Sequence, residues 1–314
     1  MTQRGESRKE ATRPMVLSTR VATSIGSWNV RTMYEGGSAL VIAGEMRRYN
    51  LAILGVSETH WTQSGETRLQ SGETVIFSGH TEENAIHSEG VGFFLSKEAS
   101  KALIQWEPVS SRIIVAKFRT QEKKINLVVI ECYAPTNDAA EEQKDKFYDQ
   151  LQAVMQGVSR KDIAIVMGDF NAKVGEANTG YESIMGKHGV GAMNENGEIF
   201  ADFCLDNDIV IGGTVFAHRR KHKVTWVSPD HVTENQIDHI CIARQFRRTL
   251  LDVRVKRGAD AASDHHLLTA KLQMKLKRHS QEGGNPRIRY RINLLRDKQI
   301  AETFRIQLTN KFQA

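Results

Sequence analysis

The chain has 314 residues, 40% hydrophobic, 25% charged and 7% aromatic. That is an ordinary globular composition with enough length for one large α/β domain or two modest ones, and it excludes collagen-like, disulfide-scaffold and wholly disordered chains. The formal net charge of +6 is uneven: the segment from Lys271 onward carries +8, so the body is slightly acidic and the high pI belongs to the tail. No run of 18 apolar residues offers a membrane span, and the first 20 residues contain no apolar stretch of signal-peptide length. The 3 cysteines (Cys132, Cys204, Cys241) lie far apart with no CxxC pair, so neither a disulfide framework nor a structural zinc site is expected and a reducing compartment fits better.

In chain order, residues 1–20 are polar, charged and aperiodic, and read as a disordered arm. Short β-rich runs then recur to about Leu272. Strands are predicted at 25–30, 51–56, 74–78, 91–95, 113–118, 125–133, 163–167, 224–227, 237–242 and 265–271. Helices are predicted at 38–49 and 139–155, each with one apolar face, and at 198–206. Hairpin-like pairs without an intervening helix dominate the middle, which argues against a repeated βαβ unit. The fold class expected is α/β, a two-sheet sandwich of mixed, mostly antiparallel sheets flanked by helices. The domain spans residues 21–274, and 275–314 is read as a basic linker followed by a strand or arm and a helix.

Polar residues cluster where predicted strands end, the place at which a rigid scaffold meets solvent. Asn29 closes one apolar run, Glu58 follows another, and Asp169 and Asn171 stand in Gly-Asp-Phe-Asn after a third. Asp238 stands near the start of the run at 237–242, after Gln-Ile and before His239, and Asp264 and His265 stand in Ser-Asp-His-His before the last. Each alone is a common turn or cap residue; together they form a complete set for metal-assisted phosphoester hydrolysis. Mg²⁺ takes a few hard oxygen ligands and leaves room for phosphate. Glu58, with Asn29 and Asp264, offers such a site. Asp169 is placed to position or deprotonate water. Asn171 and His265 are suited to donate hydrogen bonds to developing charge. Asp238 is suited to fix the histidine in one tautomer. Two basic clusters, 218–223 (with Arg219, Arg220, Lys221 and Lys223) and 244–257, suggest a polyanion without deciding it.

In order, Trp-Asn-Val (28–30), Gly-Val-Ser-Glu-Thr (55–59), Cys-Tyr-Ala-Pro-Thr (132–136), Gly-Asp-Phe-Asn (168–171), Thr-Trp (225–226), Ile-Asp-His (237–239) and Ser-Asp-His (263–265) resemble the endonuclease/exonuclease/phosphatase superfamily. The wording around them is similar to endonuclease domains of RTE-type non-LTR retrotransposons. The resemblance implies a two-sheet sandwich and Mg²⁺- or Mn²⁺-dependent phosphoester cleavage, with DNA as partner; the basic runs Arg-Arg-Lys-His-Lys and Lys-Leu-Lys-Arg point to a nuclear location, with the cytoplasm as the alternative. It also implies Asn29, Glu58 and Asp264 at the metal, Asp169 activating water, Asn171 and Tyr133 at the phosphate, an Asp238–His265 pair, and Trp226 near DNA. Arg31 stands where repair-type abasic endonucleases carry an Asp, which turns the expectation toward a retroelement-type nicking enzyme. An abasic-site repair enzyme, another phosphoesterase, and an inactive nucleic-acid-binding derivative are the alternatives.

Overall fold

A computed structural model describes residues 14–34, 37–82, 87–275, 299, 301–305 and 309. It divides the chain into two units, Met1–Lys275 and Leu276–Ala314. In the second unit the described positions, 299, 301–305 and 309, are helical. The linker and strand expected between 276 and 298 lie outside the described residues.

The first unit runs β1 (Thr23–Asn29), α1 (Ser38–Arg48), β2 (Leu51–Ser57), β3 (Ser64–Arg68), β4 (Thr74–Ser78), β5 (Val91–Leu95), α2 (Lys97–Ala102), β6 (Leu103–Ser110), β7 (Ile113–Arg119) and β8 (Asn126–Tyr133). It continues through α3 (Glu141–Gly157), β9 (Ile163–Asp169), α4 (Glu195–Asn207), β10 (Ile209–Ile211), β11 (Trp226–Val227), β12 (Glu234–Asn235), β13 (Asp238–Ala243), β14 (Leu250–Lys256) and β15 (Leu267–Leu272). Seven strands form one sheet in the order β14-β15-β1-β2-β5-β4-β3, six form the other as β10-β13-β9-β8-β7-β6, and β11-β12 is a separate ribbon. Only β1–β2 and β8–β9 pair in parallel; the other pairs are antiparallel. This is the two-sheet α/β sandwich the sequence implies.

The two-residue period of a strand sends alternate side chains to opposite faces. Between the sheets lie Ile25 of β1, Ile53 of β2, Phe93 of β5, Leu127 and Val129 of β8, Ile163, Ile165 and Met167 of β9, and Ile240 and Ile242 of β13. The outer face of the seven-stranded sheet is covered by Ile42, Ala43 and Met46 of α1, packed with Trp28, Leu54 and Phe94. Phe147 and Leu151 of α3 and Phe200, Phe203 and Cys204 of α4 cover the outer face of the other sheet. All three cysteines are buried and free in this last layer. Each fully buried Phe or Leu contributes about 1.5–3 kcal/mol relative to exposure, so these layers carry the fold.

One boundary moves. The arm expected over residues 1–20 gives way before Val16. Val16 and Leu17 are buried in the inter-sheet core, Leu17 bridges Thr120, and the Val16 N–H donates to the Arg119 carbonyl. The apolar run Met15-Val16-Leu17 is too short to show a period, which is why the sequence does not reveal this anchor. Among the described residues, no helix is long and apolar enough to cross a membrane.

Candidate active site

Strand direction and register bring the polar strand ends to one edge of the sandwich. In the first sheet Asn29 of β1 pairs in register with Ser57 of β2, and Glu58 follows at φ 54°. In the second, Tyr133 of β8, Asp169 of β9 and Asp238 of β13 stand side by side on adjacent strands. Gly168, one residue before Asp169, has φ 141°, and any Cβ there would collide with the Cys132 carbonyl. Only glycine lets β8 and β9 stay close at that point.

The loop before β15 is tied down by several bonds. The Trp28 indole N–H donates to the His265 carbonyl (2.9 Å), the Ser263 hydroxyl to the Asn29 carbonyl (2.7 Å), and the His265 N–H to the Ser263 hydroxyl (3.1 Å). The Thr-Trp pair acts from the other side. Thr225 Oγ1 accepts the N–H groups of Ile237 and Asp238, and the Trp226 indole N–H donates to Asp264 (3.0 Å).

A cleft of about 450 Å³ opens here, lined by Glu58, Tyr133, Asp169, Asn171, Trp226, Asp264 and His265 together with Arg31 and Lys173. Asn29 and Asp238 sit just beneath it, each 1% exposed. The Asn29 amide donates to Glu58 Oε1 (2.7 Å) and Asp169 Oδ2 (2.9 Å), while its carbonyl oxygen accepts the Arg31 N–H (2.9 Å). Asn29 thus holds the two carboxylates at a fixed separation. Asp169 Oδ1 accepts the N–H of Asn171, whose left-handed backbone (φ 48°) turns its side chain back toward the cleft wall. His265 Nδ1 meets Asp238 Oδ2 at 3.0 Å, and its Nε2 lies 3.8 Å from Asp169 Oδ2.

Electrostatics follow from this packing. Burial, reinforced by the neighbouring Asp238 carboxylate, lifts the Asp169 carboxyl from its ordinary value to about 7. Burial pulls the His265 imidazole down, but the carboxylates of Asp238 and Asp169 outweigh it and raise it to about 9. Burial pushes the Tyr133 hydroxyl well up, helped by Glu58, to which it is hydrogen-bonded, and by Asp169. At neutral pH the site therefore holds a protonated Tyr133, a cationic His265 and an Asp169 poised near its own titration.

A layer deeper, Glu131 of β8 is fully buried; the Ser27 hydroxyl donates to one of its oxygens (2.8 Å), and burial pushes its carboxyl well up. Gly55 makes the room, since any Cβ there would collide with the Glu131 carboxyl.

The side chains present suit a hard divalent cation. Glu58 and Asp264 present carboxylate oxygens to the cleft, and ligand atoms of Asp169, Asp238 and His265 lie within 4.8 Å of one another. Soft thiolate ligands are absent from the cleft.

The basic cluster at 218–223 does not line the cleft. Arg219, Arg220 and Lys221 are exposed and Lys223 half-buried, and the Arg220 Nε donates to Glu234 (3.0 Å), which also pairs with Arg257 (3.0 Å). The sequence reading passes over Lys173 and the asparagines behind it: Asn194 lines the cleft, its Oδ1 accepts the Lys173 N–H, and its Nδ2 donates to Asn137 Oδ1. Asn194 is also the N-cap of α4, and an Asn just before an amphipathic run was the available signal. Arg112 was missed as well. Its guanidinium lies 4.9 Å from the Tyr133 ring centre and donates to the Tyr133 carbonyl (3.1 Å), with Glu89 pairing at 2.7 Å.

A model of the Endonuclease/Exonuclease/phosphatase family matches residues 26–265. "Craniofacial development protein 2" of Tragulus javanicus is 37% identical over 253 residues, 81% of this chain and 42% of the relative, so the chain spans less than half that protein's length. Among solved structures, the endonuclease domain of TRAS1, a telomere-specific non-LTR retrotransposon, superposes with a TM-score of 0.56 at 14% identity, covering 81% of this chain and 99% of that one. The 3′ phosphatase NExo from Neisseria, bound to product DNA hairpin, gives 0.57 at 17% identity, covering 80% and 99%. At those identities the likeness is one of fold.

Proposed function

The chain belongs to the endonuclease/exonuclease/phosphatase family, and we propose that within it this protein is a Mg²⁺- or Mn²⁺-dependent DNA endonuclease that nicks a phosphodiester bond by activated-water attack, as in non-LTR retrotransposons. The observation that carries this reading is the single cleft that gathers Glu58, Tyr133, Asp169, Asn171, Asp264 and His265 at the ends of both sheets.

Glu58 and Asp264 would hold the divalent cation, with Asn29 fixing Glu58 from below. A bound cation supplies Lewis-acid polarisation of the phosphoryl oxygen and stabilises the leaving oxygen. Asp169, with a carboxyl near 7, accepts the proton of the attacking water and would be largely in its basic form slightly above neutrality. Cationic His265, held by Asp238, donates from Nε2 toward a phosphoryl oxygen, and the Asn171 amide, which also lines the cleft, is suited to add a second donor. Protonated Tyr133 donates from the opposite side, its ring clamped under Arg112. These donors are preorganised by bonds already made in the protein, which is where most of the rate gain of such a site arises. Trp226 presents an aromatic edge to the cleft beside Asp264, suited to contact with a nucleotide.

Supercoiled plasmid incubated with the protein and Mg²⁺ tests the reading. Conversion to open circles that EDTA abolishes is the expected result. A folded protein that leaves plasmid intact under Mg²⁺ and Mn²⁺ overturns it.

A further inference from the structure

Two short segments, one from each sheet, reach the cleft by the same device. β1 ends on Asn29 and runs into Val30-Arg31, and Asn171-Ala172-Lys173 starts two residues after the end of β9. In each, the asparagine sits at the carboxylate floor, a buried apolar residue follows, and a cation two residues on lines the cleft. In each, a left-handed residue bends the chain there: Arg31 itself at φ 61°, Asn171 at φ 48°. That backbone is uncommon for residues with side chains and marks a position fixed by its surroundings.

Both cations are pinned through their backbone rather than through their charge. The Arg31 N–H donates to the Asn29 side chain. The Lys173 N–H donates to Asn194 Oδ1 (2.8 Å), and its carbonyl accepts the Asn194 N–H (3.0 Å). Gly197 lies so close to that carbonyl that any Cβ would collide with it.

Three arginines on this side are already neutralised: Arg112 pairs with Glu89, and Arg220 and Arg257 pair with Glu234. Arg31 and Lys173 make no ion pair among the described residues, although Glu58, Asp169 and Asp264 line the same cleft. Two unpaired cations beside that many carboxylates, one on each wall, are arranged for an anion that arrives from outside.

We propose that Arg31 and Lys173 clamp the phosphates on either side of the scissile one, so that the cleft selects a polynucleotide strand over a lone phosphomonoester. The proposal rests on the nuclease reading and deepens it. One phosphate at the carboxylate floor leaves its neighbours on the same strand to pass the two walls, where a guanidinium and an ammonium wait. Phosphate contacts position a strand without reading its bases, so the clamp is indifferent to sequence.

The test is equilibrium binding of a fluorescein-labelled 20-base-pair duplex of mixed sequence, followed by anisotropy in EDTA so that no turnover intervenes, across a KCl series. Neutralising one phosphate contact flattens the slope of log K against log salt by about 0.9. Arg31→Ala and Lys173→Ala are each expected to flatten it by about that amount and to weaken binding roughly tenfold at low salt, the size of a charge-assisted hydrogen bond. The double variant shows both losses, and Arg31→Lys keeps the slope. Lys124, in the turn between β7 and β8 at the opposite end of the sheet, serves as control: Lys124→Ala leaves the slope as it was. Unchanged slopes in the two cleft variants overturn the clamp, as does a native protein that fails to bind the duplex. Failure of the nuclease reading is separable, since it shows as absent nicking while the slope change persists.

Discussion

The layer between the two sheets changes character from one end to the other, along the same strands. At one end β1, β2, β8 and β9 contribute Ile25, Ile53, Leu127 and Ile163, all fully buried and apolar. Four residues further on, the same faces carry Asn29, Ser57, Glu131 and Met167, and then Asp169, with Asp238 from β13; each of the polar ones is 1% exposed or less. Buried polar groups cost stability unless they are hydrogen-bonded, and two of these, Ser57 Oγ and Glu131 Oε2, have no partner among the described residues. The apolar end holds the sandwich together, and the polar end draws on that stability to keep ionisable groups out of water. Conflict between local packing rules and composition therefore marks the site.

The largest effect expected from this contrast is at the apolar end. Phe118→Ala, level with Leu127, removes a fully buried ring from the core and should cost about 3–5 kcal/mol by denaturant unfolding. Nicking per folded molecule should stay near native; a large loss of activity without loss of stability there would break the contrast. Next comes Asp238→Ala. Without its carboxylate partner the buried His265 loses the main influence that raises it, so its imidazole titration, followed by NMR, should fall below about 9. Nicking should drop on the order of 10²-fold, the lower range for a positioned proton donor. A histidine titration that does not move contradicts the pairing.

A smaller effect lies in the pH profile. Asp169 must be ionised to take a proton, and its pKa is raised to about 7, so the rate should climb as pH rises through that value. His265 must stay protonated to donate, so the rate should decline again through about 9. A rate already flat between pH 5 and 7 would show that a bound cation holds Asp169 in its ionised form far below that value.

Much of this was legible in the sequence, and what was not has a common cause. Interior strands were found nearly to the residue: β4 and β5 match their predicted bounds, and β2, β7 and β8 differ by one residue. The four strands missed outright in the two sheets, β3, β6, β10 and β14, are the four sheet edges. An edge strand is paired on one side only and is often exposed, so its apolar signal is thin; β3 is mostly exposed and β10 has only three residues. β14 alternates Leu, Asp, Val, Arg, Val, Lys, yet its outward Arg254 and Lys256 invited a reading as a basic patch. The short α2 escaped for lack of length, with only Ala99 and Ala102 buried.

The site divides the same way. The gathering of Asn29, Glu58, Asp169, Asp238, Asp264 and His265 at one cleft is legible because polar residues interrupt or close apolar runs. Glu131 is not evident in the sequence, because a lone Glu inside a strand looks like an outward-facing residue; its burial, the Ser27 hydrogen bond and the room left by Gly55 show that it points inward. In the sequence Arg31 reads only as a missing acid and Lys173 carries no signal, since their places on the two cleft walls come from two sheets meeting in space.

The most direct test of this account is Asp169→Asn, assayed together for plasmid nicking with Mg²⁺ and for thermal unfolding at pH 8. The substitution removes a charge that burial opposes, so the fold should survive with a midpoint within a few degrees of the native protein. Nicking should fall by about 10²–10⁴-fold. A variant that melts like the native protein and nicks at the native rate would contradict the assignment of Asp169 as the proton acceptor, and with it the claim that the polar end of the sandwich is the catalytic one.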